Sequence, residues 1–119
     1  MPALYLVPER GADFPYDQVK AAIEGLASVE ISDVDFEKII ADGIRNEWPP
    51  QLVENQRQMQ QSGKCFNFAQ GVEPFLEGTV YLENVYFLFE DEAHADRCAP
   101  VIDGMAQDLG LKTSIGFSR

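Results

Sequence analysis

The chain has 119 residues and a mass of 13.3 kDa, with 20 acidic residues against 9 basic ones, a net charge of −11 and a pI near 4.3. That balance excludes a nucleic-acid groove, which needs clustered Lys and Arg to neutralise phosphates and release counterions. With 45% hydrophobic residues, including 8 Phe and 4 Tyr, the chain is too apolar to stay disordered, and its length suits one domain spanning residues 1–119. The apolar run Leu4 to Val7 is too short for a signal peptide and no stretch approaches a membrane span, so the expectation is a cytoplasmic protein with no membrane partner.

Leu4 to Val7, closed by Pro8, has the pattern of a buried central strand. A loop with Gly11, Asp13 and Pro15 follows, and then Val19, Ala22, Ile23 and Leu26 recur at helical spacing. Val29-Glu30-Ile31 alternates as a short strand. Asp33 is then placed to cap a helix carrying Phe36, Ile39, Ile40 and Ile44, which Pro49-Pro50 stops. Pro50 suits the first turn of a further helix with Leu52, Val53, Gln56 and Met59 on one side, ending at Ser62-Gly63.

Cys65 to Ala69 alternates as a strand, and Gly71 to Gly78, with Pro74, reads as a loop. Thr79 to Leu82 and Val85 to Phe89 are both β-rich. They form either a hairpin turning at Glu83-Asn84 or one long bent strand, and Val85 to Phe89 is expected to be central and buried on both faces. From Asp91 the pattern is helical through Cys98, Ile102, Met105 and Leu109 to Gly110, with Pro100 predicting a kink or two short helices. Lys112 to Phe117 alternates as a terminal strand. This order predicts an α+β fold, with a ferredoxin-like, split βαβ antiparallel or mixed sheet, helices on one face and a helical insertion at 33–62.

Three local patterns resemble ligand sites and fail on chemistry. Gly63-Lys64-Cys65 resembles the end of a phosphate loop, but Gln58 stands where its first glycine is needed and Cys65 where a hydroxyl must hold magnesium. Asp33, Asp35 and Glu37 alternate like calcium ligands, yet Lys38 occupies the turning glycine's place and Ile44 that of the bidentate glutamate. His94 and Cys98 share a helix face at a spacing that suits zinc, but two ligands are too few. No metal, cofactor or catalytic residue is therefore assigned, and Cys65 and Cys98 are read as reduced thiols without a disulfide.

The acids are more suggestive. On the ferredoxin-like reading the first and third strands are adjacent, parallel and central, so the loops leaving them emerge at one edge. Glu9, Asp13 and Asp17 from the first junction would then meet Glu90, Asp91, Glu92 and Asp96 from the second. Carboxylates at helix N-termini are favourable by themselves, but seven together with only Arg10 and Arg97 among them argue for a basic partner. Tyr81 and Tyr86, with Trp48 nearby, would supply aromatic anchors if they face solvent.

The sequence thus predicts a small acidic binding protein that inhibits or neutralises a basic protein such as a toxin, a nuclease or a nucleic-acid-binding protein, as immunity proteins and nucleic-acid mimics do. The alternative is a dimeric ferredoxin-like enzyme or ligand-binding domain. Its pocket between sheet and helices would be lined by Phe66, Phe68, Phe87 and Phe89, with polar groups from Asn67, Tyr86 and His94.

Overall fold

A computed structural model describes residues 2–117. The element order is β1 (Pro2–Pro8), α1 (Tyr16–Glu24), β2 (Val29–Asp33), α2 (Phe36–Arg45), α3 (Pro50–Ser62), β3 (Phe66–Gln70), β4 (Glu77–Val80), β5 (Val85–Leu88), α4 (Glu92–Leu109) and β6 (Leu111–Phe117). The six strands form one sheet in the order β2-β3-β4-β5-β1-β6, antiparallel at every pairing. The fold is α+β. Residues 79–89 form a hairpin, closed by the Tyr81 amide donating to the Asn84 carbonyl at 2.8 Å.

Strand alternation sorts the side chains onto two faces. Leu6, Phe66, Phe68, Val80, Val85 and Phe87 occupy one face, where Val19 and Ile23 of α1 and Cys98, Ile102 and Ala106 of α4 complete the core. Phe68 and Phe87 meet edge to face with ring centres 5.6 Å apart. The other face carries Glu30, Asn67, Glu77, Thr79, Tyr86 and Tyr5 across the strands. β5 is central, as its composition predicts, but Tyr86 and Leu88 stay half-buried, so it is fully covered on one face only.

Two local expectations are corrected. Asp33 ends β2, and Asp35 is the residue that caps α2, accepting from the Lys38 amide at 3.1 Å. Two short helices do not form at Pro100: α4 is one helix from Glu92 to Leu109, with Pro100 on its exposed side while His94, Cys98, Ile102 and Ala106 anchor the opposite face every fourth residue. Within 33–62 the chain forms the two helices α2 and α3. α2 packs against α3, and α3 buries none of its own side chains fully, bordering the second sheet face beside Tyr5.

Candidate protein-binding face

The β3–β4 connection is held by side chains of α4. His94 is only 6% exposed, and its Nδ1 lies 3.1 Å from the Glu90 amide nitrogen. An amide can only donate, so Nδ1 accepts and the ring proton sits on Nε2. From there it is shared between the carbonyls of Pro74 and Phe75 at 3.2 and 3.1 Å. Cys98 adds an S–H bond to the Pro74 carbonyl at 3.0 Å, and Arg97 pairs with Glu73 at 3.3 Å. The His94 ring packs edge to face against Phe89, and its own amide donates to the N-cap Asp91 at 2.8 Å. One helix turn therefore clamps the loop from Glu73 to Phe75.

The clamp presents Phe75. This residue is 50% exposed and has φ of 42°, in the left-handed region that a bulky side chain adopts only under constraint. Its amide donates to the Val72 carbonyl at 2.8 Å, closing the tight turn that the His94 bonds hold from the other side. Phe75 shares a hollow of about 260 Å³ with Glu77, Leu88, Phe89, Glu90 and His94. Beyond it, on the open sheet face, Glu77 and Glu30 flank Ala69 on the neighbouring strands, roughly 10 Å apart at about 4.8 Å per strand. Both line a broad open depression of about 710 Å³ with Ser32, Asn67, Thr79 and Leu88. Among the described residues, no Lys or Arg lines either hollow.

The seven acids read from the sequence do not converge. β1 and β5 are adjacent but antiparallel: Ala3 pairs with Leu88, while Pro8 at the other end pairs with Leu111. Glu9, which follows Pro8, and Glu90, which follows β5, therefore leave opposite ends of the sheet, roughly 17 Å apart at about 3.4 Å per residue. Asp13 and Asp17 belong with Glu9, in the loop leading into α1 and its first turn. Glu90, Asp91, Glu92 and Asp96 follow β5 at the other end, in the turn into α4 and its first turns, and Glu90 shares a hollow with Glu77 and Phe75. Within this group Asp91 is a helix cap, and Glu92 lies in the first turn, where its charge opposes the helix dipole favourably.

The aromatic pocket of the alternative reading is also corrected. Phe66, Phe68, Phe87 and Phe89 are buried in the core, whereas Asn67 and Tyr86 project from the opposite sheet face. The ring of Trp48 lies over Gly43, where an added methyl would overlap it, at the α2–α3 corner. Tyr86 is joined on the open face by Tyr5, with ring centres 4.9 Å apart.

The two cysteines are free thiols. Burial pushes the Cys98 thiol up, with Arg97 opposing and Glu73 adding to the shift, and burial likewise pushes Cys65 up, opposed by hydrogen bonds from the Leu82 backbone and Ser62. Neither is poised as a thiolate nucleophile. Among the described residues, no group of three or more His, Cys, Asp and Glu side chains could hold a metal ion, and no helix is long and apolar enough to cross a membrane.

Comparison of the chain with protein-family models, with curated proteins and with solved structures finds no match in any of the three. The site must be read from its own geometry. Phe75, Glu77 and Glu30 are the residues that sequence reasoning missed. Phe75 offered the one available signal, a large aromatic following Pro74 inside a turn-rich loop, outside any helical or strand periodicity that would make it core.

Proposed function

We propose that the protein is a small acidic binding module that docks on a basic protein surface through the end of the sheet carrying Phe75, Glu77 and Glu90, and neutralises that partner by covering it. The observation that carries this reading is Phe75, half exposed and held in a left-handed backbone conformation by the buried His94, in a hollow it shares with Glu77 and Glu90. A strained, exposed aromatic with its own buried clamp serves no folding purpose, whereas a rigid aromatic anchor ringed by charge is what an interface uses. The carboxylates steer encounter with a cationic surface, and Phe75 holds the complex once formed.

At the level of fold, we assign β1–α1–β2 and β5–α4–β6 as the two split βαβ units of a ferredoxin-like core, with α2, α3 and the β3–β4 pair as additions. The support is direction: β1 and β2 run the same way with β5, β4 and β3 between them, and β5 and β6 run the same way around β1. Two free thiols fit a reducing, cytoplasmic setting.

The test is binding of a partner captured from the native host. Phe75→Ala should speed dissociation at least about tenfold, the effect of losing a buried aromatic anchor. Glu77→Lys with Glu90→Lys should slow association and flatten its salt dependence. A partner that binds both variants as it binds the parent protein refutes the assignment.

A further inference from the structure

A second hollow on the same sheet face has a different chemistry. It lies between α3 and the turn joining β4 to β5, has a volume of about 480 Å³, and is lined by Tyr5, Tyr81, Glu83, Asn55, Gln58 and Met59 among others. That is within the range of roughly 300–1,000 Å³ typical of sites for small groups. Its floor is rigid, because Tyr5 stacks at a tilt on Tyr86 and both stand on central strands of the sheet. Burial raises the Tyr5 and Tyr81 hydroxyls above their ordinary value, so both are neutral at physiological pH. Among the described residues the single charged side chain in the lining is the carboxylate of Glu83, and the helix side contributes neutral amides and a thioether.

We infer that this cleft binds an arginine side chain of a protein partner, with the guanidinium against the Tyr5 and Tyr81 rings and paired to Glu83. A guanidinium is planar, weakly hydrated and carries donors only, so it can lie on an aromatic face while donating to a carboxylate and to amide oxygens. The lining supplies those acceptors and, among the described residues, presents no competing cation. An ammonium is compact and strongly hydrated, and uses the ring faces less well. The inference deepens the reading above and rests on it for the source of the cation, a basic protein. The cleft sits at the opposite end of the face from Phe75, since Tyr81 and Glu83 belong to the β4–β5 turn while Phe75 precedes β4.

The experiment is an NMR titration of the isotope-labelled full chain with acetyl-Gly-Arg-Gly-amide, its citrulline counterpart and its lysine counterpart. The arginine peptide should shift the amide signals of Tyr5, Tyr81, Glu83 and Asn84 with a Kd on the order of 1 mM. The citrulline peptide should leave them unmoved, and the lysine peptide should bind at least severalfold more weakly. Glu83→Gln, an exposed turn substitution that spares the fold, should weaken arginine binding about tenfold, the loss of one charge-assisted hydrogen bond. Shifts spread equally over Glu30, Glu77 and Glu90, or equal binding of the lysine or citrulline peptide, would overturn the inference. The Phe75 and Glu77/Glu90 variants test the docking face by a separate measurement, so either conclusion can fail while the other stands.

Discussion

Replacing His94 by Phe tests whether α4 holds the Phe75 loop. Phe keeps the ring volume beside Phe89 but removes an acceptor from the Glu90 amide and a donor from the carbonyls of Pro74 and Phe75. An ordinary intramolecular hydrogen bond contributes about 0.5–1.5 kcal/mol, and a buried group left unpaired costs about 1–3 kcal/mol. The Glu90 amide and the loop carbonyls lie against a ring that is almost fully buried, so the substitution should cost about 2–4 kcal/mol in urea unfolding. Against a total of about 5–15 kcal/mol, the variant remains folded and measurable. Hydrogen exchange supplies the local reading. The Phe75 amide, bonded to Val72, and the Gln70 amide, bonded to Leu76 at 2.7 Å, should lose protection in the variant while the β1–β5 amides keep theirs. His94→Gln, which can still donate from about the Nε2 position, should recover part of the loop protection. A His94→Phe protein that loses less than about 0.5 kcal/mol with loop protection intact would refute the clamp, and with it the account of why Phe75 tolerates a left-handed backbone.

Three further outcomes follow from the same geometry. Asp91→Ala should cost about 1 kcal/mol by removing the cap on the His94 amide, while Asp91→Asn keeps an acceptor and should stay within about 0.5 kcal/mol, a pair that chemical denaturation separates. Gly78→Ala should unfold the protein or cost more than about 3 kcal/mol in the same assay, because a methyl there overlaps the Tyr86 carbonyl oxygen of the paired strand, and backbone cannot step aside. Tyr5 and Tyr81 have folded pKa values raised chiefly by burial, so the unfolded chain loses these protons first as the solution turns alkaline. Their contribution to stability is full below the ordinary tyrosine value of about 10 and is lost as pH rises above it, which thermal melts against pH should show and which Tyr5→Phe with Tyr81→Phe should reduce, Tyr16 and the two thiols, raised by burial in the same way, carrying the remainder.

Much of the local structure is legible in the sequence because it is set by residues close together in the chain. Val19 with Ile23, and Cys98 with Ile102, fix the core faces of α1 and α4 by spacing alone, and Pro50 and Gly63 bound α3 by backbone preference at its first turn and C-cap. Pro100 shows where such rules yield. The burial of His94, Cys98, Ile102 and Ala106 carries α4 through a residue that disrupts an isolated helix. The candidate site lay beyond local reasoning because strand direction is a property of the assembled sheet. Glu9 and Glu90 each follow a strand and look equivalent in sequence, and only the antiparallel pairing of β1 with β5 sends them to opposite ends. Likewise His94 reads as half of a metal site or a polar group in a pocket until the fold brings Pro74 and Phe75, about 20 residues earlier in the chain, within 3.2 Å of its ring. Composition and periodicity determine which residues must be buried. Which polar and aromatic side chains the remaining surface brings together is decided by the order and direction of the strands, a choice that pairs groups distant in the chain and leaves little trace in any one stretch of it.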